Sequence, residues 1–264
     1  MSLSRRRWLG AAGASLSALW VSACDKLTMD PKFAGVLQKA EGLSLRAQRA
    51  LTDRKALARE FTPADISKDF RANGTVRPDS EEYQALLAGG FADYRLVVDG
   101  LVEQPLQLSL ADIRALPSRS QITRHDCVEG WSSIGKWKGA RLGPLLDRAG
   151  LKPNARHIVF HCADTLEQTL DGTGKYYESI DLIDAYHPQT ILAYEMNDRA
   201  LPVKHGAPLR LRVERQLGYK HAKYVMRIEA VEDFAALDEN GETKYGRGKG
   251  GFWEDRGYEW YAGI

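Results

Sequence analysis

Arg124-His125-Asp126-Cys127-Val128-Glu129-Gly130-Trp131 sets one cysteine among charges and aromatics, between a strand-like run and a glycine turn. A thiol in such company is either used or oxidised, because Arg and His favour the reactive thiolate. The start of the chain sharpens the question. Ser4-Arg5-Arg6-Arg7-Trp8-Leu9 precedes an apolar, uncharged run over residues 10–23. A basic segment before a short apolar one reads as an export signal, too short to be taken first as a membrane span. Exported proteins meet an oxidising compartment, where an isolated thiol needs a reason to persist. A bond from sulfur to a metal or cofactor is one such reason.

The paired arginines with a preceding serine and following Trp8-Leu9 resemble a twin-arginine signal, a bacterial export address used by proteins that fold around a cofactor first. Val21-Ser22-Ala23-Cys24 resembles a lipoprotein box, and the small residues also fit plain cleavage. Asp25 resembles the residue that keeps some lipoproteins at the inner membrane. Residues 1–24 are thus expected to be a twin-arginine signal with a lipoprotein-like box. The location implied is the periplasm, with Cys24 as a lipid anchor on the outer face of the inner membrane.

The 37 basic and 35 acidic residues nearly balance, and loss of Arg5, Arg6 and Arg7 with the signal keeps them close. No basic patch argues for nucleic acid. No later segment has the roughly 18 consecutive apolar residues of a span. Of three cysteines, Cys24 belongs to the signal, leaving Cys127 and Cys162. Two cysteines in an exported chain can form one disulfide.

Asp30-Pro31 reads as a helix start, with Phe33, Val36, Leu37 and Ala40 continuing one face toward Leu43. Residues 51–61 read as more helix or a lead-in segment, and 62–90 as a wrapping loop region. Together, 25–90 form a helical and loop N-terminal extension. From Tyr94 the texture turns to β-branched runs, with Asp99-Gly100 as a turn dipeptide. Ser109-Leu110-Ala111-Asp112 has capping-box form and opens a short helix. Strands are expected over 121–128, 157–162, 190–194, 209–213 and 224–230, and helices over 142–149 and 180–186. The absence of a steady βαβ rhythm predicts an α+β fold. Residues 233–264 form a Gly/aromatic tail. Its Gly246–Gly251 stretch lacks the Walker pattern and reads instead as a clamp through Trp253, Tyr258, Trp260 and Tyr261.

Four ordered blocks carry a resemblance. They are Cys127-Val128-Glu129-Gly130-Trp131-Ser132, Ile191-Leu192-Ala193-Tyr194-Glu195-Met196-Asn197, His205-Gly206-Ala207-Pro208-Leu209-Arg210-Leu211 and Gly218-Tyr219-Lys220-His221-Ala222-Lys223. Residues 94–231 resemble the molybdopterin-binding domain of the sulfite oxidase family, so the domain is drawn at 91–232. Within that family the nearer likeness is to the molybdenum subunits of bacterial periplasmic methionine sulfoxide reductases. The resemblance implies a molybdenum–molybdopterin cofactor, one per chain, and oxygen-atom transfer with a small-molecule oxo donor or acceptor. It also implies electron exchange with a membrane b-type or soluble c-type cytochrome.

By the same resemblance Cys127 matches the metal-ligating cysteine, and a soft thiolate suits such a metal. Arg210 matches the anion-binding arginine, whose planar fork suits the pterin phosphate. Lys220, His221, Ala222, Lys223 and His205 match further cofactor contacts. Cys162 stands at a polar contact position, although a plain buried cysteine is the simpler reading of it. Arg71 and Asn73 hold the places of the N-terminal contacts, and Asp164 is a further candidate beside the pocket. Arg124 and His125 are expected to favour the thiolate. Glu129, two residues past Cys127, would share its face in a strand. It is read either as a catalytic proton donor or as a structural carboxylate.

No arginine cluster follows Cys127, which speaks against a sulfite-like anion as substrate. Gly130 replaces the larger residue expected in the reductases. No Cys-x-x-Cys-His haem motif and no dimerisation domain is visible. Two other readings stand beside this one. The first is a thiol enzyme using Cys127 with His125 or His161 as base. The second is a non-catalytic lipoprotein binding module of the same fold with a Cys127–Cys162 disulfide.

Overall fold

The computed structural model describes residues 31–167, 174–234 and 248–264. The export signal, Cys24, the Asp30 cap, the side chains of Phe33, Val36 and Leu37, and the Gly246-Arg247 start of the tail loop lie outside what it describes. Two compact units divide between Asp53 and Arg54. In the first, helix α1 (Pro31–Leu51) runs beyond Leu43.

The second unit is built on two five-stranded sheets. The first contains β1 (Leu96–Gly100), β2 (Leu106–Leu108), β5 (His157–Thr165), β6 (Lys175–Asp181) and β10 (Val225–Val231). Their order is β2-β1-β10-β5-β6, with β1 and β10 parallel and the other pairs antiparallel. The second contains β3 (Ser118–Asp126), β4 (Ser132–Arg141), β7 (Ile191–Met196), β8 (Arg199–Ala200) and β9 (Arg210–Arg212). It is antiparallel, ordered β3-β4-β7-β8, with β9 also paired to β7. Largely antiparallel sheets with short helices between strands give the α+β architecture that the strand texture predicts.

Helix α3 (Leu110–Ala115) starts as expected. Asp112 N–H donates to Ser109 Oγ at 3.2 Å, and Ser109 N–H returns a bond to Asp112 Oδ2 at 2.9 Å. Helix α4 (Leu142–Ala149) has the expected bounds, and Leu142, Leu145, Leu146 and Ala149 are completely buried. The helix expected over 180–186 shortens to α5 (Leu182–Ala185), because β6 continues through Asp181, which then caps the helix. Apolar side chains from both sheets and α4 form one cluster, including Leu96, Ile158, Phe160, Ile180, Leu192, Leu211 and Ile228. Each such fully buried side chain contributes roughly 1.5–3 kcal/mol. Phe70, Trp137, Ile191, Ala193, Met196 and Leu201 form a second, smaller cluster.

Three expectations are corrected. Of the two readings of residues 51–61, more helix fails beyond Leu51 and the lead-in segment holds; Phe61 N–H donates to Ile122 O at 2.9 Å and Glu60 bridges Thr123, because β3 is an edge strand with free backbone groups. The region 62–90 is not all loop. Ser80 caps α2 (Glu81–Ala88), two glutamates sit at the helix's positive end, and buried Tyr83 donates to Ala207 O at 2.7 Å. Strand β4, ten residues long, carries no clear strand texture because Gly135 and Gly139 interrupt it. Both glycines mark close approach instead: a Cβ at Gly135 would lie 3.2 Å from the Phe70 ring, and one at Gly139 would lie 2.2 Å from Leu192 O.

Gly139→Val should therefore part β4 from β7. The expected outcome is a loss of at least about 1–3 kcal/mol, the usual range for overpacking, seen as a lower urea midpoint with an unchanged slope.

Candidate functional site

Strands β3 and β4 pair from Ser118↔Ala140 through Asp126↔Ser132, so Cys127 sits at the tip of a hairpin. The tip is held by Cys127 N–H to Trp131 O at 2.9 Å and Gly130 N–H to Cys127 O at 3.0 Å. Gly130 adopts φ +82°, which glycine tolerates freely and a larger residue does not. The tip turns Cys127 into a cleft. Asn73, Glu129, Asp164, His221, Lys223 and Trp253 also line it.

The turn overrides the strand argument for Glu129. Its carboxylate accepts from Trp131 Nε1 at 2.8 Å and lies 3.9 Å from Arg71, which stacks over Trp131. Glu129 and Arg71 thus meet at the mouth of the cleft. Neither Arg124 nor His125 favours the thiolate. Arg124 is paired to Asp126 at 2.8 Å, and buried His125 is engaged by Arg212. Burial pushes the Cys127 thiol above its ordinary range, outweighing the opposing effect of the Glu129 backbone N–H.

Behind the cleft lies an excess of buried positive charge. Arg210 and Arg212 alternate along β9, so both face the same way. Their guanidinium carbons lie 5.1 and 4.5 Å from the Trp137 ring centre. Arg212 is answered by Glu214, with contacts of 2.9 and 2.5 Å. Arg210 is completely buried and has only carbonyl partners, His205 O at 3.1 Å and His221 O at 3.5 Å; its Nε has none. Burial and neighbouring Arg212 push Arg210 down to about 9, so it stays cationic at neutral pH. Lys223 donates to Asn73 O at 2.6 Å and to Thr75 O. Burial and Arg210 push Lys223 down to about 7, while burial pushes Asp164 up to about 6. Gly206, at φ +110°, lets these side chains meet, since a Cβ there would lie 3.0–3.1 Å from Lys223 and Arg210.

Two buried imidazoles have proton positions dictated by their partners. Arg212 lies 3.0 Å from His125 Nδ1, and a guanidinium can only donate, so the proton of neutral His125 is on Nε2. His221 Nε2 lies 3.0 Å from Gln216 O, so it donates and leaves Nδ1 a bare acceptor. Burial, with Arg212 nearby, holds both rings well below the usual histidine range. His125 Nε2, His221 Nδ1, Asp164 Oδ1 and Arg210 Nε are all buried without a partner. Gly218 lines the cleft beside His125, where a Cβ would lie 2.5 Å from Nε2.

The remaining expected contacts divide. His205 is buried, packed edge-on against Phe70 at 5.4 Å, and opens to a neighbouring groove rather than this cleft. Burial and Arg210 push it down to about 4. Ala222 is buried, and its carbonyl accepts from Leu211 N–H at 2.8 Å. Lys220 does not reach the cleft. It is wholly buried between Glu178 and Glu254, and so serves as a structural cation. Burial works against its charge, but the two carboxylates outweigh it and raise the ammonium above its ordinary range. Cys162 sits in β5 opposite Val225, packs into the main core and does not line the cleft. Cys127 and Cys162 are both free thiols, so the disulfide-bonded alternative is not the state described here. His161 is paired to Glu229 at 2.8 Å on the first sheet, which removes it as a base for Cys127. Arg212 went unnoticed in the sequence. The alternation Arg210, Arg212, Glu214 between apolar residues was the signal available.

These features fit a pterin cofactor. Arg210, which no carboxylate hydrogen-bonds, and Lys223 suit its phosphate, and the orphaned donors and acceptors suit its polar ring edge. Among the described residues no group of three or more His, Cys, Asp and Glu could hold a metal ion alone. A metal at Cys127 must therefore bring most of its coordination with it. Also among the described residues, no helix is long and apolar enough to cross a membrane.

Residues 86–236 match the family described as the oxidoreductase molybdopterin binding domain. A chain of Azospira oryzae, named as protein-methionine-sulfoxide reductase subunit YedZ1, is 32% identical over 264 residues, covering 100% of this chain and 89% of its own length. The protein-methionine-sulfoxide reductase catalytic subunit MsrP of Campylobacter jejuni is 33% identical over 150 residues, covering 53% of this chain and 50% of its own. Among solved structures, the sulfane dehydrogenase SoxCD of Paracoccus pantotrophus aligns with a TM-score of 0.48 at 25% identity, over 58% of this chain and 41% of its own.

Two outcomes are expected. Sulfate, whose charge is constant across the range, should raise the Tm of cofactor-free protein by about 2–4 °C. The effect should be larger at pH 6 than at pH 8.5, because Lys223 is protonated below about 7. Lys223→Met should flatten that pH dependence. Separately, Lys220→Met leaves two buried carboxylates unpaired and should cost about 3–5 kcal/mol in urea denaturation.

Proposed function

The chain belongs to the oxidoreductase molybdopterin-binding domain family, and we propose that it is an exported reductase of a sulfoxide-class substrate, fed by a separate haem protein. The observation that carries this reading is that Cys127 and Lys223 line the same hollow of the second unit, with buried Arg210 behind it bonded to the carbonyl of cleft-lining His221. When bound, the molybdenum–molybdopterin group supplies two-electron oxygen-atom transfer, and the protein supplies binding, orientation and protons.

In this reading Cys127 Sγ is the protein's thiolate ligand. Coordination overcomes the burial that otherwise keeps the thiol protonated. Arg210 and Lys223 hold the phosphate, and His205 supports them from the far side. Cleft-lining His221 offers Nδ1 as an acceptor to the ring edge, His125 holds an Nε2–H donor behind Gly218, and Ala222, whose carbonyl is engaged by Leu211, takes no direct part. Cys162 takes no direct part.

Reduction of a sulfoxide breaks the sulfur–oxygen bond and consumes two electrons and two protons, yielding sulfide and water. Asp164, pushed up to about 6, can carry a proton on Oδ1, the oxygen left without a partner. Glu129 at the mouth can relay from solvent. The cleft's charged lining is Lys223 against Glu129 and Asp164, with Val128, Leu166 and Trp253 as apolar walls. That balance favours a neutral, partly apolar substrate over an anion such as sulfite. The names of the Azospira and Campylobacter relatives support a sulfoxide, and the word subunit in the first supports a separate electron donor. The Arg5-Arg6-Arg7 segment supports twin-arginine export to the periplasm, with Cys24 as the anchor site.

Protein exported by a molybdenum-competent host should contain stoichiometric molybdenum and oxidise a reduced viologen dye with methionine sulfoxide or dimethyl sulfoxide. Cys127→Ser should lower turnover by more than about a hundredfold, beyond the usual cost of losing a supporting contact. Full activity in a molybdenum-replete Cys127→Ser protein overturns the assignment. Activity confined to an N-oxide would change the substrate while leaving the site intact.

A further inference from the structure

The cleft has one wall that comes from far outside the cofactor-binding blocks. Trp253 lies in the C-terminal segment, yet it lines the same hollow as Cys127, Val128 and Leu166. It is only partly buried, whereas its neighbour Phe252 is 1% exposed. Phe252 therefore anchors the segment and Trp253 is the side chain left facing the cleft.

This segment is held on both sides. Glu254 takes the buried Lys220 ammonium, in the Gly218–Lys220 turn that supplies Gly218 and Tyr219 to the cleft. Arg256 bonds Glu167 through two nitrogens at 3.2 and 2.8 Å, next to Leu166. Arg256 also lies 3.5 Å from the Phe252 ring centre and donates to Phe252 O at 2.8 Å. Gly251 allows the first latch, because a Cβ there would lie 2.0 Å from Glu254 Oε2. Between these latches the indole is fixed edge-on to Phe252 at 5.2 Å and tilted to Tyr258 at 5.3 Å. A rigidly supported aromatic face beside the reacting site discriminates by shape, since its own ordering is already complete before a ligand arrives.

We infer that Trp253 is the specificity-determining wall of the substrate cleft, taking the alkyl group next to the oxygen-bearing sulfur. This rests on the reductase reading above. Sulfur and its methyl group are polarisable and pack well on an aromatic ring. A flat indole in a cleft that Val128 and Leu166 also line admits a narrow alkyl arm and resists a bulky aryl one.

The test uses full-length, molybdenum-loaded protein as wild type, Trp253→Ala and Trp253→Phe. In Trp253→Ala, KM for methionine sulfoxide and dimethyl sulfoxide should rise about five- to tenfold, the scale of a lost sulfur–aromatic contact. Its kcat should stay within about twofold and its metal content should equal wild type, the pattern for lost binding that is uniform through the reaction. Discrimination against methyl phenyl sulfoxide should relax, and Trp253→Phe should fall between. A second readout does not need turnover. In protein labelled with 5-fluorotryptophan, the 19F resonance missing from Trp253→Phe should shift when dimethyl sulfoxide is added.

Unchanged KM values together with an unmoved resonance overturn the inference, even if the wild type is a good reductase. If the resonance moves but no sulfoxide is reduced, the reductase reading fails and the wall stands.

Discussion

A buried guanidinium is tolerable only where a carboxylate and hydrogen bonds replace its water, and Arg212 has both. Glu214 meets it through both carboxylate oxygens, Trp137 covers its face, and Thr123, His125 and the Arg124 carbonyl accept further bonds from it. Removing one partner of such a pair costs about 3–5 kcal/mol, since the other is left charged and unsolvated. The inward face of β3, with Gln121, Thr123 and His125 at alternate positions, is therefore polar by necessity. Gln121 completes the arrangement by donating to Glu214 at 2.8 Å.

The same arrangement creates the binding potential of the site by asymmetry. Arg210 shares the strand face and the indole with Arg212, but no carboxylate hydrogen-bonds it. One cation is neutralised and holds the wall together; its neighbour is left for an anion brought from outside. Lys223 and the neutral, directionally fixed imidazoles extend this from a point charge to a surface with donors and acceptors in set positions. Preorganised groups of this kind need little rearrangement when the ligand arrives.

Much of this was legible in the residues, for reasons that can be named. Ser109 and Asp112 cap a helix by contacts three residues apart, which sequence spacing shows directly. The β-branched runs around residues 158 and 228 occupy the central strands of the first sheet. Cys127, Arg210 and Lys223 sit in blocks whose types state their chemistry. What stayed hidden depends on partners distant along the chain. Lys220 looks like an anion ligand beside His221 and Lys223, and only tertiary structure brings Glu178 and Glu254 to it. Glu129 looked strand-paired with Cys127 because the reversal at Gly130 is set by hydrogen bonds across the hairpin, not by local propensity. Strand β4 was masked by glycines that exist for the benefit of Phe70 and Leu192.

The parallel pairing of β1 with β10 has a temporal consequence. Tyr94 bonds Val225 across 131 residues of chain, and Lys220 waits for Glu254, 34 residues further on. Contacts this remote in sequence close slowly, because the intervening chain must first lose its freedom. On the ribosome, the hairpin carrying Cys127 is made long before the strand that completes its neighbouring sheet. The cleft thus comes into being late, once residues as far along as Trp253 are in place. Before residues 218–253 are in place the polypeptide lacks a large part of that cleft's walls, and a pterin would have nowhere to bind.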